Sequence, residues 1–290
     1  MFHNIFQNII NFYINKKKSK IYYIFFSISK FFLKENFVVP FKNYRFYSST
    51  KKKDLSRWML KHLEEWDKDK ISKIKNLIKK ENASFIDCGC NYGAYSIPIA
   101  KKFPYMDIYA FDASKKIISR LIDNIDLNKI KNIKYFNIGI GEKNEKKYFN
   151  ENINYYNNSG SFKFEKKKEI NTNKVNIYSL DSLAKKKIIK LKKNVIIKLD
   201  IEGYEFFALK GMKEIIKKHK VIVFFEVSKM IIENNKNVVK HFDIFIKKNK
   251  LNLYNLNFKK KNITKVFQIL NKTDSRYQTI DDYILANIKL

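Results

Sequence analysis

The sequence predicts an α/β fold built on a doubly wound, mostly parallel sheet. From residue 84 onward, short apolar runs alternate with amphipathic segments, and strand, helix and strand recur within about 30 residues, the length of a parallel crossover unit. All seven glycines of the 290-residue chain lie between Gly89 and Gly211, inside this alternating part. Since ligands bind at the turns that follow parallel strands, the glycine-containing turns are the first candidates for a site.

The elements follow from the periodicity of the apolar residues. Candidate strands lie at 85–86, 108–111, 133–138, 195–199, 221–225, 251–256 and 283–288, and candidate helices lie at 54–80, 97–102, 117–125 and 238–247. The third of these helices has its apolar residues on one face, namely Ile117, Ile118, Leu121, Ile122 and Ile125. We therefore assign residues 54–290 to one α/β domain.

Residues 1–53 are predicted to form a mainly helical N-terminal extension. Residues 1–34 contain no acidic residue, and their apolar residues recur at helical spacing. The apolar stretch 21–33 contains Lys30 and is shorter than the roughly 20 residues that span a bilayer. These helices are expected either to pack on the domain or to lie on a membrane surface. Residues 1–34 contain no evident small-residue cleavage site of the kind that would indicate a targeting peptide. Pro40 and the polar run 48–53 are interpreted as a connection. The expected location is the cytoplasm, either free or peripheral at the inner membrane face.

The formal net charge of +32 has two interpretations, a biased composition or a functional basic surface. Only four of the 60 basic residues are arginine. Proteins that recognise phosphates or bases favour the arginine fork, so nucleic acid is a less favoured partner.

The two cysteines, Cys88 and Cys90, lie in the first glycine-containing turn. A disulfide between residues so close in sequence would be strained, and a metal site would need further soft ligands. We interpret them as small residues beneath a ligand.

Two predicted strands end in carboxylates beside the glycine turn. The first is followed by Asp87, Gly89, Asn91, Tyr92 and Gly93, and the second ends in Asp112. The Gly-x-x-x-Gly spacing differs from the dinucleotide pattern, and Asp87 would repel a pyrophosphate but attract the cationic amino acid half of S-adenosylmethionine. A carboxylate at Asp112 can accept both ribose hydroxyls. S-adenosylmethionine is therefore the cofactor that the sequence favours.

A later strand ends in Lys198, Asp200 and Glu202, and the next strand ends in Glu226. Because side chains alternate along a strand, the first three project together near the expected cofactor. They could act as a general base, or Asp200 and Glu226 could bind a divalent cation. A structural ion pair of Lys198, with Glu205 as a cap, is the alternative.

Six segments together resemble the FkbM family of S-adenosylmethionine-dependent methyltransferases: residues 87–93, 109–112, 124–128, 179–183 and 198–203, and Glu226. The resemblance spans residues 85–228. It implies a class I methyltransferase fold with a seven-stranded sheet and methyl transfer to hydroxyl oxygens of sugars or polyketide-like natural products. The chain departs from the family pattern at Cys88 and Cys90, and it has Asp112-Ala113 where the family more often has Glu-Pro.

Two other functions remain open. The charge suggests an RNA 2′-O-methyltransferase, although no Asn-Pro-Pro-aromatic motif for base amino groups is present. A non-catalytic module that binds polyanions or membranes on the same fold is the second, and the strand-end carboxylates argue against it. The expected partner is a glycan or small-molecule hydroxyl acceptor. The turn at 159–161 is either part of the acceptor pocket or an ordinary turn.

Overall fold

The computed structural model describes residues 36–41, 43–49, 67–150, 164–165, 172–227, 237–272 and 281–290. The predicted N-terminal helices in 1–34, the first part of the helix predicted at 54–80 and the turn at 159–161 lie outside these residues. Within the described residues, no helix is both long enough and apolar enough to cross a membrane.

A central sheet organises the molecule and confirms the predicted fold class. Its strands, from one edge to the other, are β13 (Lys260–Lys261), β12 (Asn252–Asn255), β14 (Asp281–Ala286), β11 (Lys220–Val227), β10 (Asn194–Leu199), β3 (Ser84–Cys88), β4 (Ile108–Asp112) and β5 (Ile133–Asn137). The five strands from β11 to β5 are parallel, and β14 is antiparallel to both β11 and β12. Seven strands match the expected number, and two-residue β13 adds an eighth at the edge.

Helices cover both faces of this sheet. The helices of the first face are α1 (Lys68–Glu81), α2 (Ser96–Lys102) and α3 (Lys115–Leu127). Those of the second face are α4 (Leu180–Lys185), α5 (Glu205–Lys210), α6 (Lys213–Lys218), α7 (Val238–Lys248) and α8 (Ile263–Lys272). Each face forms its own hydrophobic core with the sheet between them. The central strands are buried throughout, as parallel strands covered on both sides must be.

Strands β1 (Asn36–Phe41) and β2 (Tyr44–Ser49) form an antiparallel hairpin in the region that the sequence predicts to be a connection around Pro40. The sequence signal for this strand is the alternation of β2, in which Tyr44 and Phe46 are buried and Arg45 is exposed. The two buried rings join the core on the α3 face. The domain boundary predicted between residues 53 and 54 stays a prediction, but this hairpin, on its N-terminal side, packs on the α/β core.

A second sheet follows β5 along the chain. Its strand order is β6 (Gly139–Ile140), β9 (Thr172–Tyr178), β7 (Glu145–Asn150) and β8 (Phe164–Glu165). The predicted strand at 133–138 therefore ends as β5 at Asn137 and is followed by a short strand of another sheet. The family segment 179–183 caps helices here. Ser179 caps α4, and the Asp181 carboxylate accepts hydrogen bonds from the first turn of α6.

Candidate active site

The site lies where the strand order of the central sheet reverses, between β3 and β10. The chain runs from β3 outward to β4 and β5 on one side, and from β10 to β11 on the other. Asp87 and Lys198 are opposite each other in the β3–β10 ladder, near the carboxyl ends of both strands. Ligands of open α/β sheets bind in the crevice at this kind of reversal.

The turn after β3, residues 89–93, has three residues in the left-handed region: Gly89 at φ 75°, Asn91 at 48° and Gly93 at 91°. A Cβ on Gly89 would lie 1.8 Å from the backbone oxygen of Asp200. One on Gly93 would lie 2.7 Å from a methyl carbon of Leu121. Gly89 is therefore required by the close backbone of Asp200 and Gly93 by its positive φ, and the cofactor contacts predicted for both stay predictions.

Asp112 lies at the end of β4 and reaches this turn. Its two carboxylate oxygens accept hydrogen bonds from the backbone N–H groups of Asn91, at 3.2 Å, and Ser114, at 3.0 Å. Burial raises the pKa of Asp112 to about 6, against the opposing effect of these two hydrogen bonds. Each carboxylate oxygen keeps a further lone pair, so the group can still accept ribose hydroxyls.

The ammonium group of Lys198 is the central charge of the site. Its Nζ donates to the backbone oxygen of Gly89 at 2.9 Å and lies 3.2 Å from Asp200 Oδ2 and 3.4 Å from Asp87 Oδ1. Its fourth neighbour is the ring of Tyr95, with the centroid 4.7 Å away. Burial favours the neutral amine, but Asp200 and Asp87 outweigh it and raise the pKa of Lys198. The ammonium is thus hydrogen-bonded to the Gly89 oxygen and ion-paired with both carboxylates.

The carboxyl groups around Lys198 differ in protonation. Burial opposes the ionisation of Asp200, but Lys198, Lys70 and a hydrogen bond from Glu226 outweigh it, and the pKa of Asp200 is lowered. For Glu226, burial and then the charge of Asp200 raise the pKa to about 10. The same two causes raise the pKa of Glu202 to about 8. At neutral pH, Asp200 is the ionised member, and Glu226 is a protonated hydrogen-bond donor to it.

Glu202 and Glu205 have different positions and contacts in the structure. Strand β10 ends at Leu199, and Glu202 lies in the following turn at φ 54°, a strained position for a residue other than glycine. Glu205 is buried, and its Oε1 accepts the backbone N–H of Ile201 at 2.9 Å. Glu205 therefore caps the turn that contains Glu202. This agrees with the alternative interpretation of the sequence, in which Glu205 is a cap.

Four further residues complete the site and were not predicted. Lys70 of α1 is buried, with its Nζ 2.7 Å from Asp282 Oδ1 and 3.2 Å from Asp67 Oδ2. The Tyr95 hydroxyl donates to Asp67, and its ring centroid is 5.5 Å from Lys70 Nζ. Asp282 of β14 lies opposite Glu226 in the β11–β14 ladder. The sequence held no signal for Lys70 among its many lysines, whereas Tyr95 follows the glycine turn by two residues.

No group of three or more His, Cys, Asp or Glu residues in the described part of the chain is arranged to hold a metal ion. The role of Asp200 and Glu226 as metal ligands therefore remains a prediction, and the described residues do not form a set of metal ligands around them. Cys88 and Cys90 are free and buried, and burial raises the pKa of both thiols. Cys90 packs in the core of the first face and Cys88 in the core of the second, and their interpretation as residues beneath a ligand stays a prediction.

The residues present fit the predicted cofactor. Asp87 is fully buried at the strand end, and its Oδ2 accepts a hydrogen bond from Ser96 while its Oδ1 has no hydrogen-bond donor. This oxygen lies beside the glycine turn, 3.4 Å from the Lys198 ammonium but without a hydrogen bond to it, so it suits the ammonium of an amino acid moiety, and Asp112 suits a ribose. The fold and these positions together define a class I methyltransferase.

The sequence comparison agrees with this class. A model of the family described as "Methyltransferase FkbM domain" matches residues 87–266, which is more than half of the chain. The chain therefore belongs to the FkbM methyltransferase family. No curated protein matches it.

Solved structures of methyltransferases resemble the chain distantly. A methyltransferase FkbM from Methylobacillus flagellatus KT is 15% identical, with a TM-score of 0.41 over 70% of this chain and 43% of that one. The chain thus spans less than half the length of that protein. TYW2 from M. jannaschii, in complex with AdoMet, is 12% identical with a TM-score of 0.39, over 87% of this chain and 85% of that one. A putative O-methyltransferase from Klebsiella pneumoniae is 12% identical with a TM-score of 0.41, over 77% and 80%.

Proposed function

We propose that the protein is an S-adenosylmethionine-dependent O-methyltransferase that acts on a hydroxyl group of a sugar, a glycan or a related natural product. The observation that carries the proposal is the contact of Lys198 with both halves of the site. One ammonium group holds the backbone of the cofactor turn at Gly89 and the carboxylate of Asp200. The group expected to take the proton of the acceptor is thereby fixed against the cofactor turn.

The cofactor supplies a methyl carbon that its sulfonium already activates. What remains for the protein is to align an acceptor oxygen and remove its proton. Asp87 and Asp112 would hold the amino acid and ribose parts, and the turn 89–93 would lie between them. Lys198 is a positioning residue in this scheme, since its buried ammonium contacts the Gly89 oxygen and the carboxylates of Asp200 and Asp87.

Asp200 is the group that we assign as proton acceptor. Its side chain is 31% exposed, while that of Lys198 is 4% exposed, so it is the accessible end of the ion pair. A lowered pKa makes a weak base, but the acceptor oxygen becomes strongly acidic as it forms its new bond to carbon. An ionised carboxylate within hydrogen-bond reach is then sufficient. Glu226 keeps Asp200 in place by donating to it, and Glu202 lines the same edge.

The charge of the site favours an uncharged acceptor over RNA. Although the chain carries a formal charge of +32, the groups that interact with Asp200 include three carboxyl groups, from Glu202, Glu226 and Asp282. Because Glu202 and Glu226 are protonated at neutral pH, the negative charge that repels a phosphate here is that of Asp200, to which a polyol can donate hydrogen bonds. The basic surface keeps RNA 2′-O-methylation as the second candidate, since such a charge attracts polyanions.

Labelled S-adenosylmethionine offered with glycan, lipid-linked sugar and RNA pools, with and without a chelator, tests this function. We expect label in a sugar pool and a loss of turnover in Asp200→Asn, with the affinity for S-adenosylhomocysteine retained. Asp107→Asn, which removes the partner of exposed Lys134, is the control and should keep its activity. Label found mainly in RNA would refute the sugar acceptor, and loss of activity on chelation would return Asp200 and Glu226 to the role of metal ligands.

A further inference from the structure

One buried amide connects the N-terminal hairpin to the cofactor turn. Asn124 of α3 is fully buried, and its Nδ2 donates to the backbone oxygen of Tyr92 at 3.0 Å. Its Oδ1 accepts the backbone N–H of Tyr47, in β2, at 2.8 Å. The side chain thus bonds residue 92 of the turn with one end and the hairpin with the other.

Asn128, one helical turn further along, contacts the hairpin and not the turn. Its Oδ1 accepts the backbone N–H of Arg45 at 2.8 Å, and its Nδ2 donates to the Arg45 oxygen at 2.6 Å. The guanidinium of Arg45 in turn donates to the Leu127 oxygen at 2.9 Å. These bonds hold β2 in one register on α3, so that the Tyr47 N–H lies over Asn124.

The turn depends on the orientation of the Tyr92 carbonyl. Tyr92 lies between Asn91 at φ 48° and Gly93 at φ 91°. A non-glycine residue in the left-handed region costs about 1 kcal/mol, so the turn needs external contacts to keep this conformation. The Asn124 amide can donate to Tyr92 only while its oxygen faces away, and in that direction the oxygen meets the Tyr47 N–H. The hairpin therefore sets which way the amide points.

We propose that Asn124 is a positioning residue through which the docked hairpin 36–49 holds the cofactor turn 89–93 in its binding conformation. The proposal rests on the proposed binding of S-adenosylmethionine. It assigns the hairpin a function in cofactor affinity, although no hairpin residue belongs to the set that would contact the cofactor. Because coupling of this kind is reciprocal, cofactor binding must stabilise the docked hairpin by the same factor.

The affinity of the full-length protein for S-adenosylhomocysteine, measured by calorimetry in a double-mutant cycle, tests the route. Asn124→Leu, which removes both bonds, should weaken binding about tenfold, the cost of an unpaired buried polar group. Asn128→Leu loosens the hairpin and removes the bond from Asn128 Nδ2 to the Asn124 backbone oxygen at 2.7 Å, but it leaves the bond to Tyr92 in place and should weaken binding by a smaller factor. The double variant should bind no more weakly than Asn124→Leu, since the hairpin then has no route to the turn. Additive effects, or an Asn124→Leu affinity within twofold of the wild type, would overturn the proposal.

A conservative variant and a ligand-free measurement separate positioning from general destabilisation. Asn124→Asp can donate to Tyr92 only while its carboxyl group is protonated, so its affinity should approach the wild type at low pH and fall as pH rises. In hydrogen exchange without ligand, Asn124→Leu should speed exchange in peptides covering both 43–49 and 89–95. If the wild type binds no S-adenosylhomocysteine, the proposed function fails. This exchange result then still decides the coupling, and exchange in 89–95 that is unchanged would refute it.

Discussion

Replacing Lys198 by methionine removes the only cation within 3.5 Å of Asp87 and Asp200 among the contacts in the described part of the chain. Asp87 is fully buried, and its Oδ1 has no hydrogen bond to substitute for the lost charge. Breaking a buried ion pair from one side costs about 3–5 kcal/mol, because the remaining charge stays buried and unpaired. We therefore expect Lys198→Met to lower the free energy of unfolding by about 3–5 kcal/mol at pH 7.

The pH dependence of this loss has a definite sign. The pKa of Asp200 is lowered in the folded protein, so its contribution to stability is present above the ordinary value of 3.8 and is lost as pH falls through the folded value. The gap between the wild type and Lys198→Met should therefore be full at pH 7 and narrow below about pH 4.

Urea unfolding followed by circular dichroism measures both quantities. Lys134→Met is the matched control, because Lys134 pairs with Asp107 in a contact where both side chains are about half exposed. Pairs of that kind contribute less than about 1 kcal/mol. The double variant Lys198→Met with Asp87→Asn should recover part of the loss, since no unpaired charge then remains at Asp87. A Lys198→Met loss as small as that of the control would refute the buried network.

Three further predictions concern the same region. Gly89→Ala would place a methyl group 1.8 Å from the Asp200 backbone oxygen, at a residue whose φ is 75°. We therefore expect a large fall in melting temperature and the loss of S-adenosylhomocysteine binding. A melting curve like that of the wild type would contradict this. Glu226→Gln keeps a donor to Asp200 but cannot ionise. Because the pKa of Glu226 is raised to about 10, the wild type should lose stability as pH rises from about 4.5 to 10, and the variant should overtake it by pH 9 in urea unfolding. Equal pH slopes would exclude a raised pKa. Tyr95→Phe removes the hydroxyl bond to Asp67 but keeps the ring over Lys198, so stability should fall by about 1 kcal/mol with unchanged affinity for S-adenosylhomocysteine; a large loss of affinity would show that the hydroxyl, not the ring, matters.

The sequence predicted the central sheet well because parallel strands covered on both faces are continuous apolar runs. Strand β10 is such a run, and the alternation of its side chains correctly placed Lys198 and Asp200 together. Glu202 also interacts with Asp200 and Lys198, but it does so from the turn that follows Leu199, so the alternation of the strand is not what places it there. Periodicity describes an element only as far as the element extends.

The hairpin and the role of Lys70 could not be predicted from the sequence, for a different reason. Among the described strands, β2 pairs only with β1, and its burial comes from contacts with α3, which lies about 80 residues away in the chain. Lys70 has no local feature that separates it from the other lysines, and its contacts in the site include Asp282, more than 200 residues away in the chain. Contacts between distant segments are set by the fold, so no local pattern announces them.

The close approach of Gly89 to the Asp200 backbone bears on how the family's sequences should be interpreted. Position 89 admits no side chain even when the crevice is empty, because the neighbouring strand end occupies the space. A relative that had lost its catalytic activity would still retain this glycine in order to fold. Its presence therefore reports an intact scaffold and does not by itself identify an active enzyme.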